Sequence, residues 1–301
     1  MTKSLVTTLG NLAADQVGWM LAHEHIFANF IADDDCLSDV NAVIERLTPE
    51  LERAQRAGMS VMVDATAIGA CHRPDIVAAV SKAVNLPILM ATGVFKEPAK
   101  KIWVELHGEK GLCEWMTREL TEGVNEVRAA WIKLSVNNAG VLPHEAMLLR
   151  AAACVSIETG AVVGSHTVGG KLANEELAIF EAAGGSPDRF IWIHTQTEPD
   201  FDMHIQFARR GAWIEYDAID ADRPDEAYLD WVCEVLSAGV GDHLLLSQDR
   251  TGYNPSQPDG GTFKPYAYLL ESFVPKMRAR GVDEGELHML LHDNPFRAYA
   301  R

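Results

Sequence analysis

Eight short runs of β-forming, mostly apolar residues, each followed by a longer stretch of helical period, constrain this chain more than any other feature. The pattern predicts strands at Trp19–Ala22, Val61–Asp64, Ile88–Thr92, Trp131–Leu134, Val162–Gly164, Phe190–Ile193, Trp213–Glu215 and Leu244–Leu246. Amphipathic stretches at Pro49–Ala57, Pro74–Val84, His144–Thr159, Asn174–Ala183, Phe201–Arg210, Glu226–Ala238 and Lys264–Arg280 read as helices. Gly58, Gly160, Gly184, Gly211, Gly239 and Gly281 stand where such helices take a C-terminal glycine. Alternation of this kind predicts a parallel sheet covered by helices, and eight units favour closure into a (β/α)8 TIM barrel over an open doubly wound sheet. No GxGxxG or GxxxxGK[ST] follows the first run, which weakens a nucleotide-binding alternative. A length of 301 residues fits one such barrel, and no linker, short repeat or low-complexity tract divides it. Residues 1–301 are therefore expected to form a single domain, with its longest irregular connections at Phe27–Val40, Phe95–Asn125 and Arg250–Lys264.

Charge and cysteine usage narrow the partners and the chemistry. With 43 acidic against 26 basic residues the formal net charge is −17, so the molecule should repel nucleic acid and anionic membranes, leaving a small molecule as the expected partner. No stretch approaches the roughly 20 apolar residues of a membrane span, and the opening MTKSLVTTLGNLAADQVG lacks the apolar centre of a signal peptide, so a cytoplasmic location is expected. The five cysteines are odd in number, far apart and never spaced as CxxC. Neither a disulfide framework nor a thiolate zinc site is expected, so any metal must be held by histidine and oxygen ligands.

Barrel active sites lie at the C-terminal ends of the strands, and His23, Lys133, His166, His194 and Asp249 all fall at or just past such ends. His25 joins His23 because residues i and i+2 of a strand face the same side, so the pair can deliver two imidazoles to one cation. Taken singly, each has a plain alternative: the histidines as hydrogen-bonded core or loop residues, Asp249 as a helix cap. Lys133, set within WIKLSV, must be neutralised or find a partner if it is buried. Five strand ends carrying ligand-type side chains are harder to explain together than apart.

These residues sit in segments that resemble the phosphotriesterase-like branch of the amidohydrolase superfamily. The likeness begins at GWMLAHEHIF and continues through RAAWIKLSVNNAGVLPHEAMLLRAAACVSIETGAVVGSHT, FIWIHTQTEPDFDMHIQFARRGAWIEYD, LLLSQD and LLHDNPFRAYA, covering nearly the whole chain in the family's order. The resemblance implies a metal-dependent hydrolase with two divalent ions, Zn2+ first and Mn2+, Co2+ or Fe2+ as alternatives. One ion would be held by His23, His25 and Asp249, and the other by His166 and His194. Lys133, N-carboxylated to a carbamate, would bridge them together with a hydroxide that attacks the substrate, and Asp249 would shuttle the proton to the leaving group. A homodimer is implied by resemblance alone.

The family spans organophosphate hydrolases and several lactonases, and the substrate loops here depart from the lactone-quenching pattern. Where that group reads GLDR this chain has IEYDA, keeping Asp217 and replacing the arginine by Ala218. HSD becomes His194-Thr195-Gln196, and a tyrosine-rich stretch becomes Phe95-Lys96. With Arg250 and Tyr253 on the last long loop, Phe95, Lys96, Asp217, Arg250 and Tyr253 form the expected substrate-binding set. A small polar, sugar-type lactone is the expected substrate. Esterase, amidase or phosphotriesterase activity on the same metals, or a non-catalytic metal-binding barrel, are the alternatives.

Overall fold

The computed structural model describes residues 3–30, 36–95, 99–124, 127–220, 223–262 and 264–301. Its centre is a (β/α)8 barrel of parallel strands: β1 (Trp19–Phe27), β2 (Met59–Asp64), β3 (Ile88–Leu89 and Ala91–Thr92), β4 (Trp131–Ser135), β5 (Val163–His166), β6 (Phe190–Ile193), β7 (Trp213–Tyr216) and β8 (Leu244–Leu246). Ladders join β1 through β8 in chain order. Closure between β8 and β1 comes from the segment after β8. Asp249 N donates to His23 O at 3.1 Å, His23 N donates to Ser247 Oγ at 2.8 Å, and Thr251–Tyr253 pairs in parallel with β1. An antiparallel hairpin, Leu5–Thr7 with Gly10–Leu12, precedes the barrel.

Strand periodicity divides the apolar residues between two cores. Met20, Val61, Val63, Leu89, Trp131, Ile191, Trp213 and Leu245 fill the barrel interior. Their neighbours Leu21, Met62, Ile88, Ile132, Trp192, Ile214 and Leu244 pack outward against the helices. This is the alternation expected of strands enclosed on both faces. On β1 the alternation is interrupted. The ladder pairs Leu21 with Met62 and then Glu24 with Asp64, so β1 carries one extra residue there. That bulge reverses the phase set by Met20 and Ala22 and turns His23 and His25, rather than Glu24, into the barrel mouth.

Helices cover the strands: α1 (Val40–Arg56), α2 (Pro74–Val84), α3 (Ala99–Thr121), α4 (Pro143–Thr159), α5 (Gly170–Ala182), α6 (Phe201–Arg209), α7 (Asp225–Ser237) and α8 (Val274–Ala279). Three differ clearly from the sequence expectation. Pro49 does not open α1 but lies inside it, and Asp39 caps the true start by accepting from Asn41 N. The expected irregular connection Phe95–Asn125 is mostly α3, whose helical period is broken at Gly108 (φ 61°), where the helix kinks. The expected helix Lys264–Arg280 begins later, as a π-helical stretch Leu269–Phe273 leading into α8.

The cysteine reading is also corrected, because Cys36 and Cys71 form a disulfide with their Cα atoms 5.6 Å apart. Their separation of 35 residues carries no motif, but each lies on the segment leaving the C-terminal end of β1 or β2, and those strands are neighbours. Among the described residues no helix is long and apolar enough to cross a membrane.

Candidate metal centre

The C-terminal mouth of the barrel holds a cavity of about 320 Å³ lined by His23, His25, Phe30, Phe95, Lys133, His166, His194 and Asp249. All six expected metal ligands therefore converge on one space. Lys133 reaches it because Trp131 and Lys133 share the inward phase of β4, and His166 because Gly164 and His166 share that of β5. A side chain at Gly164 would collide with Ile193 and Trp131, each 2.8 Å from the added Cβ. Gly93 (φ +113°) lets β3 pass β4, since a Cβ there would lie 2.1 Å from Lys133 O. His194 (φ 65°) and Asp249 (φ 51°) both adopt the left-handed backbone region, which is uncommon outside glycine and turns each side chain back over the mouth.

Three of the four histidines are held from behind. His23 Nδ1 donates to Glu215 Oε2 at 2.8 Å, His25 Nδ1 pairs with Thr66 Oγ1 at 2.8 Å, and His194 Nδ1 donates to Asp217 Oδ1 at 2.6 Å. These contacts leave Nε2 of all three facing the cavity. There His25 Nε2 lies 3.0 Å and His23 Nε2 3.5 Å from Asp249 Oδ1, while His23 Nε2 is 3.1 Å from Lys133 Nζ. On the other side His194 Nε2 is 2.7 Å from His166 Nδ1. With its proton committed to Asp217, His194 turns a lone pair toward His166 at a distance that calls for a cation or a proton between them. Donor types and facing lone pairs both fit divalent metal ions.

The electrostatics follow from burial. Removal from water pushes the His23 imidazole well below its usual range, and the Lys133 charge adds to this. Lys133 is itself lowered, by burial first, although Asp249, Glu215 and Asp217 oppose the shift. Burial acts to raise the Asp249 carboxyl, but the hydrogen bond from His25 and the charges of His23, His25 and His194 hold it well below the usual carboxylate range.

The expected substrate-binding residues are not all at the cavity. Phe95 lines it, making edge contact with His166 at 5.2 Å and with Phe30 at 5.6 Å between ring centroids. Asp217 lies behind His194. Arg250 is buried, with its guanidinium bonded to Ile219 O at 3.1 Å and Asp220 Oδ2 at 3.0 Å. Tyr253 stacks on Phe27. Lys96 lies outside the described residues.

Sequence reasoning missed Phe30, Thr66, Glu215 and Glu24. Only Glu215 carried a usable signal, because Trp213, Glu215 and Asp217 alternate on one face of the WIEYD segment. Glu24 points away from the metals and gathers the segment after β8. Its Oε1 accepts from Ser247 Oγ at 2.9 Å and from Gln248 N and Nε2 at 3.2 Å, and its Oε2 accepts from Arg250 N at 2.7 Å. Two further groupings of possible ligands exist among the described residues. His288 and Asp293 are exposed and His292 is half-buried. Glu215 and Asp217 approach His23 from its Nδ1 side, away from the cavity, and so support that ring rather than share an ion with it.

The sequence profile described as the Phosphotriesterase family matches residues 3–299. The chain belongs to that family. It is accordingly a metal-dependent hydrolase acting on ester bonds. Within the phosphotriesterase family it is similar to the phosphotriesterase homology protein of Escherichia coli, at 24% identity over 94% of this chain and 98% of that protein. The aryldialkylphosphatase of Saccharolobus solfataricus is 19% identical over 96% and 97% of the two chains. Among solved structures, a mutant of the phosphotriesterase-like lactonase of Deinococcus radiodurans superposes with a TM-score of 0.88. It is 28% identical, covering 98% of this chain and 99% of that one.

Proposed function

We propose that this phosphotriesterase-family chain is a binuclear hydrolase of small lactones. His23, His25 and Asp249 would hold one Zn2+, His166 and His194 would hold the other, and an N-carboxylated Lys133 would bridge them. The observation that carries this reading is the convergence of the His23, His25 and His194 Nε2 atoms, His166 Nδ1, Asp249 Oδ1 and Lys133 Nζ on one cavity. Buried among imidazoles, Lys133 gains more from conversion to an anion shared by two cations than from remaining an ammonium. A pair of divalent ions there would lower the pKa of a shared water and polarise the substrate carbonyl. Asp249, kept ionised by its histidine neighbours, is placed to accept the proton of the attacking water and pass it to the leaving alkoxide.

The remaining walls, Phe30 and Phe95, favour a substrate that lays a C–H-rich ring face against aromatic edges, which a five- or six-membered lactone does. The sugar-type lactone is retained for its ring rather than for its hydroxyls, because Arg250 is committed to Asp220. A panel of plain lactones, sugar-type lactones, open esters, amides and phosphotriesters, assayed with Zn2+- and Mn2+-loaded protein, tests this. Lactones are expected to give the highest kcat/KM. A phosphotriester or amide preferred by tenfold would overturn the substrate reading, and full activity of metal-free protein would overturn the mechanism.

A further inference from the structure

We infer that β7 supplies one buried carboxylate to each half of the metal centre, Glu215 positioning His23 and Asp217 positioning His194, so that either half can be weakened separately. The inference rests on the ligand assignment just proposed. Period-two geometry places Trp213 and Glu215 of β7, and Asp217 directly after it, on the inner side of the barrel, between the histidine of β1 and that following β6.

The shortest contacts divide between the two rings, although the two carboxyls also lie against each other. Glu215 Oε2 lies 2.8 Å from His23 Nδ1, whereas the nearest approach of Asp217 to that atom is 3.7 Å. Asp217 gives Oδ1 to His194 Nδ1 at 2.6 Å and Oδ2 to His194 N at 2.9 Å, and Gln196 Nε2 donates to its Oδ1 at 2.6 Å. Both carboxyls are fully buried and neither lines the cavity, so they act on substrate only through the rings they hold.

Glu215 is the more telling of the two. Its Oε1 meets no N–H or O–H donor among the described residues, and burial, together with the carboxyl of Asp217 lying against its own, pushes Glu215 well above the usual carboxylate range. Two buried carboxyls set against each other are unfavourable unless they share a proton, and a residue needed only to fill the barrel would be apolar. What Glu215 provides that an apolar residue could not is the acceptor that fixes the His23 tautomer and aims Nε2 at the metal. Glu215 and Asp217 are positioning residues, and their division predicts a pattern that a general structural role does not.

The test counts ions and measures their affinities in Zn2+- and Co2+-loaded protein dialysed against a competing chelator. Wild type should hold two ions. Glu215→Leu should retain one at wild-type affinity and bind the other about 10–100-fold more weakly, the range typical of a lost partner behind a metal-binding histidine. Glu215→Gln, which keeps an acceptor for Nδ1–H, should recover most of that loss. Adding His25→Ala to Glu215→Leu should leave the retained ion in place, because both changes fall on one half, whereas adding His166→Ala should remove both ions. Asp217→Leu should show the opposite pairing. Thermal unfolding in chelator checks that each variant folds, and Glu215→Ala reads the same outcome if the leucine misfolds. The inference is overturned if folded Glu215→Leu or Glu215→Ala keeps both ions at wild-type affinity or loses both together. A wild-type chain that cannot hold two ions would instead overturn the ligand assignment beneath it.

Discussion

Replacing Glu24 by glutamine tests how the segment bearing Asp249 is held. The carboxyl group accepts four hydrogen bonds, three at Oε1 from Ser247 and Gln248 and one at Oε2 from Arg250 N. Both carboxyl oxygens accept whether or not one of them carries a proton, whereas a glutamine amide keeps one oxygen and turns the other into an NH2 that cannot accept. In its better orientation it faces one NH group with another and leaves Arg250 N unpaired in a buried site, at about 1–3 kcal/mol. For a chain of this length that corresponds to a fall in Tm of roughly 2–5 °C. The substitution also predicts a pH dependence. Burial raises the Glu24 carboxyl to about 8, against an ordinary value of 4.5. Between those values the folded chain holds a proton that the unfolded chain releases, so this contribution to stability is complete below 4.5 and is lost as pH rises through 8. Unfolding of metal-free protein, followed by circular dichroism from pH 5 to 9, should show wild type ahead of Glu24→Gln at pH 5 and the gap closing toward pH 9. A gap that widens with pH would mean that the four donors outweigh burial and would refute the reasoning.

Lys133→Ala should lose metal and activity and regain part of both when acetate or propionate occupies the vacated bridge; recovery without added carboxylate or bicarbonate would contradict a carbamate. Gly93→Ala should destabilise the chain by at least ~3 kcal/mol, because its Cβ would lie 2.1 Å from Lys133 O at a backbone angle of +113°. An unchanged Tm would show that β3 can move aside. Phe95→Ala should raise KM about tenfold for lactones at nearly constant kcat, since the ring contacts substrate in ground and transition states alike. A fall in kcat with unchanged KM would place Phe95 in the chemistry instead.

The order of strands and helices was legible in local pattern, because apolar alternation and glycine stops are properties of neighbouring residues. All eight expected strands correspond to strands of the barrel. The convergence of His23, Lys133, His166, His194 and Asp249 also followed from strand ends once a barrel was assumed, since closure brings every C-terminal end to one rim. Where glycine interrupted the period, as at Gly108, the pattern failed and α3 went unseen.

Other features required the tertiary structure. Read by simple alternation from Met20 and Ala22, β1 would send Glu24 into the mouth; the bulge against β2 reverses this, and a bulge is a property of two paired strands. Arg250 looked like a free donor for substrate, yet the fold pairs it with Asp220, thirty residues away in sequence. The disulfide between Cys36 and Cys71 depends on β1 and β2 being neighbours. Residue type and spacing therefore determined which chemistry this chain could carry. Only packing across strands decided which face each side chain took and which charges were already paired, because burial and hydrogen bonding are settled between segments distant in sequence.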